Sequence, residues 1–210
     1  MPPSASHRAA AGEPRIKACI ANTLVVDCGE AARAGLKGLH NAQMIDLLFS
    51  ILMRLSPAAR WWFQHSQWTL GIRKPHEWPD AYTSFTLKGL ESHFRNPRLF
   101  LFSEDDIVDA AASTSTIVVG LLDFILSLPC ERSVHLFQRR EGASSHCQMG
   151  GLSYAHAVIF RWLDQTICGK VCHVPSDPTA QQAFVEIFKK YGGEKGAKKA
   201  QEVLQHARLI

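Results

Sequence analysis

Nowhere in its 210 residues does the chain hold the roughly 20 apolar residues in a row that a membrane-spanning helix needs. Its two richest runs, 45–55 and 117–128, are short and interrupted by Asp46, Arg54 or Asp123, which marks them as buried or half-buried helices and excludes a membrane partner. The first 13 residues contain no apolar segment of the kind a secretory signal requires, so a cytoplasmic location is expected. The six cysteines fit core thiols in a reducing compartment. A glycine-rich phosphate loop is also missing. The stretch Cys168-x-x-x-Cys172-His173 is one residue too long for haem attachment and lacks the second Cys/His pair of a zinc site. No cofactor or metal is therefore expected.

What remains is ordinary globular material, 46% hydrophobic and 20% charged, enough for one domain with a substantial core. The 23 Lys and Arg against 19 Asp and Glu leave a net charge of +4. Much of the excess lies in one C-terminal run (Lys189, Lys190, Lys195, Lys198, Lys199), which reads as a solvated tail. Nucleic acid would demand a basic face and a binding motif, and neither is present.

The apolar pattern alternates between strands and helices. Residues 15–27 (RIKACIANTLVVD) form a compact apolar run ended by Asp27–Gly29, predicting a buried strand. Residues 42–55 place Ile45, Leu48, Phe49, Leu52 and Met53 at helical spacing. An aromatic-rich region, 61–82, carries Trp61, Trp62, Phe63, Trp68, Trp78 and Tyr82 and is broken by Gly71, Pro75 and Pro79; a short helix is expected over 83–94. Residues 98–102 (RLFLF) predict a second strand, running straight into Ser103-Glu104-Asp105-Asp106. A helix over 110–128, a strand over 133–137 and a helix over 153–167 with Ala157, Phe160 and Leu163 on one face complete the series. Strand and helix in alternation indicate an open parallel α/β sheet.

In such sheets reacting groups collect beyond the carboxyl ends of the strands. Two exits here carry titratable groups, the Glu104–Asp106 turn and the 141–148 loop with His146. An acid followed some forty residues later by a histidine matches the order in which a hydrolase triad supplies the carboxylate and the base. The imidazole takes the nucleophile's proton, and the carboxylate holds the ring's tautomer and stabilises the imidazolium. Asp106, farthest beyond the strand, is the first choice for that carboxylate and Asp105 the second, with Glu104 directed at a neighbouring strand or loop. Cys147, next to His146, is read as a packing residue.

The stretches RIKACIANTLVVDCGE, HSQWTLGIRKPHEW, LFLFSEDDIVD and EGASSHCQMGGLSYAHAVIFRWLD resemble the C-terminal half of one branch of the α/β-hydrolases. That branch contains 2,6-dihydropseudooxynicotine hydrolases, fermentation–respiration switch proteins and fungal pigment enzymes that shorten polyketides. The resemblance covers residues 8–167 and is most specific in the closing EG-x-x-x-HC…FRWLD pattern. It implies Asp106 and His146 as catalytic acid and base. It also implies a helical lid-like insertion over about 42–95, where Trp61, Trp62, Trp68 and Trp78 would shape a site for a small hydrophobic substrate, with hydrolysis of ester or C–C bonds in polyketide-like compounds. The family's G-x-S-x-G-G elbow is absent. Arg8-Ala9-Ala10-Ala11-Gly12-Glu13-Pro14-Arg15-Ile16-Lys17-Ala18 corresponds to the end of the helix after that elbow, so residues 1–14 are expected as a helix remnant, 15–170 as a partial hydrolase domain and 171–210 as a polar tail. On this reading the chain alone is inert. Its open sheet edge predicts an oligomer or a complementing N-terminal fragment as partner.

Overall fold

The computed structural model describes residues 5–36, 38–106, 114–170 and 178–210. Four parallel strands lie in chain order: β1 (Cys19–Asn22), β2 (Arg98–Ser103), β3 (Arg132–Phe137) and the short β4 (Arg208–Leu209). Helices flank them, giving the expected α/β class. α1 (Ala5–Gly12) precedes β1, and α2 (Cys28–Gly35), α3 (Ala42–Leu55), α4 (Pro57–Leu70) and the single turn α5 (Trp78–Ala81) separate β1 from β2. α6 (Ser115–Ser127) joins β2 to β3, while α7 (Leu152–Cys168) and α8 (Pro178–His206) follow β3. Among the described residues no helix is long and apolar enough to cross a membrane.

The central strand explains the layering. Its side chains alternate, Phe100 and Phe102 entering one core with Val134, Leu122, Phe184 and Phe188, and Leu99 and Leu101 entering another with Phe137, Val158 and Trp162. Both faces are buried, so β2 reads as a nearly continuous apolar run. Each fully buried Phe or Leu contributes roughly 1.5–3 kcal/mol of transfer free energy.

Several expected boundaries shift for identifiable reasons. The strand expected over 15–27 pairs only over Cys19–Asn22, because Thr23 turns into the left-handed region and Asp27 caps α2 by accepting from Glu30 N at 2.8 Å. The aromatic stretch opens with a full helix, α4, capped by Ser56 with Pro57 in its first turn. The helix expected over 83–94 is a series of turns with one 3₁₀ turn at Glu91–His93. In α7 the inward residues are Ala155, Val158 and Trp162, whereas Phe160 is 63% exposed. Trp162 sets that face by donating its indole N–H to Ser133 Oγ at 3.0 Å. The periodicity of α3 also misleads: Ile45 is buried, but Met44, Leu47, Leu48, Ile51, Leu52 and Leu55 are exposed. That helix is apolar nearly all round, and only one side meets α4 and the 75–77 turn, through Phe49–Phe63 and Asp46–His76 contacts.

The lysine-rich C-terminal stretch is not a solvated tail. Phe184, Phe188, Ala200 and Val203 of α8 are fully buried in the larger core, and α8 packs against α6. Two of its lysines are paired, Lys199 with Asp123 and Glu202, and Lys189 with Glu194. The glycines that gave the stretch its low-complexity look serve a kink. Gly193 has φ 65° and ψ −158°, a conformation that only glycine adopts readily, and a Cβ on Gly196 would lie 2.3 Å from the Phe188 carbonyl oxygen.

At the opposite end of the sheet from the strand exits, Arg98 is buried with no carboxylate partner among the described residues. It donates to His7 Nδ1 (2.6 Å) and Asn96 Oδ1 (3.0 Å) and lies 4.0 Å over the Phe94 ring. Burial, with the Arg98 charge second, pushes His7 down to about 4 from 6.5. The native state thus holds His7 neutral where the unfolded chain would protonate it, so this stability is complete above pH 6.5 and is lost as pH falls towards 4.

Gly193→Ala and Gly196→Ala should each lower stability in urea by about 1–3 kcal/mol. By contrast Gly120→Ala, in the middle of α6 with no atom near its Cβ position, should raise it by about 0.5–1 kcal/mol. Between pH 7 and pH 4 the wild type should lose about 3 kcal/mol more than His7→Gln in paired urea titrations, and parallel curves would contradict the buried neutral imidazole.

Candidate active site

Strand β2 delivers three consecutive acids at its carboxyl end, and each meets a different partner. Glu104 accepts from the Arg139 backbone N–H at 2.9 Å, so it faces the loop after β3. Asp105 binds the Arg139 guanidinium (2.7 Å from Nε, 2.5 Å from the terminal nitrogen) and accepts from Ser144 Oγ at 2.5 Å. The Arg139 hydrogen bonds first, then Ser144, hold the Asp105 carboxyl below its usual range. Asp106 is left for His146: its Oδ1 lies 2.7 Å from His146 Nδ1.

The Asp106 side chain is largely enclosed, at 11% exposure, whereas the His146 ring is 65% exposed. An ionised carboxylate can only accept, so it selects the tautomer in which Nδ1 carries the proton and Nε2 presents a lone pair. Among the described residues no hydroxyl or thiol is hydrogen-bonded to His146 Nε2. Cys147, beside the ring, is exposed and not the packing residue expected; it sits at φ 54°, and partial desolvation, reinforced by the Asp106 charge, pushes its thiol up, which disfavours a thiolate.

The 3₁₀ turn carrying His146 (His146–Gln148) is attached to the strand exits by side chains that composition and spacing did not single out. Gln148, 2% exposed, exchanges two hydrogen bonds with Asn22, at 2.9 and 3.0 Å, and donates to Ser103 Oγ at 2.8 Å. Thr23 donates its hydroxyl to Asp106 Oδ2. Polar residues at the ends of adjacent parallel strands were the available signal, but their partners are 83 and 126 residues away along the chain.

An apolar cavity of about 260 Å³ adjoins Asp106, lined by Leu24, Val26, Leu101, Phe102, Ile117 and Phe188 among others, with Thr23 and Ser103 as polar neighbours of the acid. None of the four tryptophans lines it. Trp61 and Trp68 are 66% and 81% exposed on α4, stacked about His65, while Trp62 packs edge-on against Trp78 with centroids 4.9 Å apart. Of the Cys168–His173 stretch, Cys168 is exposed at the end of α7, and Cys172 and His173 lie outside the described residues.

The fold and site thus define a parallel α/β protein with an acid–histidine pair at its strand exits. Two fungal proteins are similar in sequence: Hydrolase LUC6 of a Fusarium species, 25% identical over 173 residues, and 20-hydroxy-prefusarin hydrolase FUS2 of Gibberella moniliformis, 26% identical over 171. The matches take in 75% and 77% of this chain but only 39% and 40% of those proteins, so the chain spans about two fifths of their length. This is a distant hydrolase relationship. No protein-family model matches the chain, and no solved structure matches it.

Proposed function

We propose that the chain supplies the acid–base half of a serine-type α/β-hydrolase site, with Asp106 as the acid and His146 as the general base. The observation that carries this reading is the 2.7 Å contact between Asp106 Oδ1 and His146 Nδ1, which leaves Nε2 bare and open. A base so held takes a proton from an attacking hydroxyl, while the carboxylate stabilises the imidazolium formed. The nucleophile this chemistry requires comes from outside these 210 residues, in keeping with the missing G-x-S-x-G and the partial coverage of the two hydrolases. The substrate class is hydrophobic, an ester or a C–C bond beside a carbonyl, with an apolar group seated in the cavity next to Asp106. The exposed tryptophans of α4 are then free to cover a substrate or the rest of such an enzyme.

The cavity also favours a second reading, a ligand-binding module without catalysis. In that case a hydrophobic fluorescent probe would bind with the same affinity in wild type and His146→Ala, and no assembly of the chain would show turnover.

The test is a chimera in which the segment of the Fusarium hydrolase that this chain does not match is fused to it. The fusion is expected to hydrolyse p-nitrophenyl esters, and His146→Ala or Asp106→Asn to reduce kcat by about 10³-fold or more. The 210-residue chain by itself should show no turnover above its His146→Ala control. An active fusion indifferent to His146→Ala would sink the catalytic assignment, and His146-dependent turnover by the chain alone would overturn the external nucleophile.

A further inference from the structure

Three non-glycine residues take positive φ among the described residues: Thr23 (62°), Cys147 (54°) and Gln148 (54°). All three border the Asp106–His146 pair. Left-handed backbone is costly for any residue with a Cβ and most costly for a β-branched one such as threonine. Ordinary turns place glycine or asparagine there, as this chain does at Gly71, Gly142 and Gly169. Strain gathered at one place, in residues poorly suited to it, persists only where the surrounding contacts over-determine it.

Those contacts are specific. Thr23 leaves β1 with its N–H still on the Leu101 carbonyl at 3.3 Å, and the left-handed turn coincides with the placement of its hydroxyl on Asp106 Oδ2. Asp106 is therefore held at both oxygens, one by Thr23 and one by His146. On the other side, the two left-handed residues after His146 bring the Gln148 amide back under the turn, where it closes a reciprocal pair with Asn22 and reaches Ser103. Gln148 and Ser103 are 2% and 1% exposed, so water does not compete for the bond between them, while the Asn22 pair is part-buried. The network ties the exits of β1 and β2 to the turn that follows β3, and so fixes the acid relative to the base from both ends.

We propose that Thr23 and the Asn22–Gln148 amide pair are positioning residues that hold Asp106 and His146 in register. The bland alternative is that these polar groups merely satisfy one another. It accounts for the hydrogen bonds but not for a threonine and a glutamine held in left-handed backbone at this one place. The proposal rests on the acid–base reading above, and its test separates the two.

The readout is the tautomer of neutral His146 at pH 8, taken from ¹⁵N chemical shifts of the full chain labelled at histidine and assigned by loss of the signal in His146→Ala. Wild type should show the Nδ1–H form, which free imidazole disfavours. Asp106→Asn should abolish that preference; if it does not, the acid–base reading itself fails. Thr23→Ser should retain the Nδ1–H form, whereas Thr23→Val and Gln148→Met should lower its share at least twofold. Thr23→Gly guards against a folding artefact, since it removes the hydroxyl while relieving the backbone, and it should melt no lower than wild type yet lose the preference. Should Asp106→Asn shift the tautomer while Thr23→Val, Thr23→Gly and Gln148→Met leave it unchanged, the positioning role is overturned and the acid–base pair stands. In the active fusion, Thr23→Val should lower kcat about tenfold with KM unchanged, and a change confined to KM would count equally against the proposal.

Discussion

Strand β2 is hydrogen-bonded on both sides and buried on both faces, and the arrangement of the site depends on that enclosure. A strand so confined has one register, because a slip of one residue would exchange the Phe100/Phe102 face with the Leu99/Leu101 face. Its exit is then fixed to within a residue. Glu104, Asp105 and Asp106 leave the sheet in a set order, and only the third reaches His146. The apolar core of the strand thus decides which carboxylate becomes the partner of the imidazole.

The three acids show how neighbouring carboxylates with the same intrinsic chemistry are separated by their surroundings. Asp105 is engaged by a guanidinium and a serine hydroxyl, which hold it ionised and occupied. Among the described residues Asp106 pairs with no lysine or arginine, and it faces a threonine hydroxyl, an imidazole and an apolar cavity. A carboxylate held by dipoles and an imidazole is suited to stabilising a developing imidazolium, whereas one already neutralised by arginine is not. The Arg139–Asp105 pair also ties the loop after β3 to the turn after β2, supporting the same geometry.

The opposite end of the sheet makes a different use of buried polarity. Arg98 is enclosed with His7, Asn96, two cysteines and the Phe94 ring, and its charge helps keep His7 neutral. A buried guanidinium thus sits at the base of the strand, and the Asp106–His146 pair at its exit. Two fungal hydrolases are distantly similar in sequence to this chain, which spans about two fifths of their length.

Much of this was legible in the amino-acid order. The RLFLF run, its acidic exit, the helix over Ala42–Leu55 and the spacing from Asp106 to His146 each rest on local signals, namely apolar period and strand-ending charge. The sequence by itself determined the α/β class, the approximate positions of β1, β2 and β3, and that Asp106 and His146 leave strand exits where they can pair. Tertiary structure decided which side of α3 and α7 turns inward, that the lysine-rich stretch folds back at Gly193 to bury Phe184 and Phe188, and that Thr23, Asn22 and Gln148 meet around the pair. The physical reason is separation along the chain. Periodicity reports that a segment has an apolar side but not what will cover it, and a hydrogen bond closing over 83 or 126 residues leaves no local pattern to read.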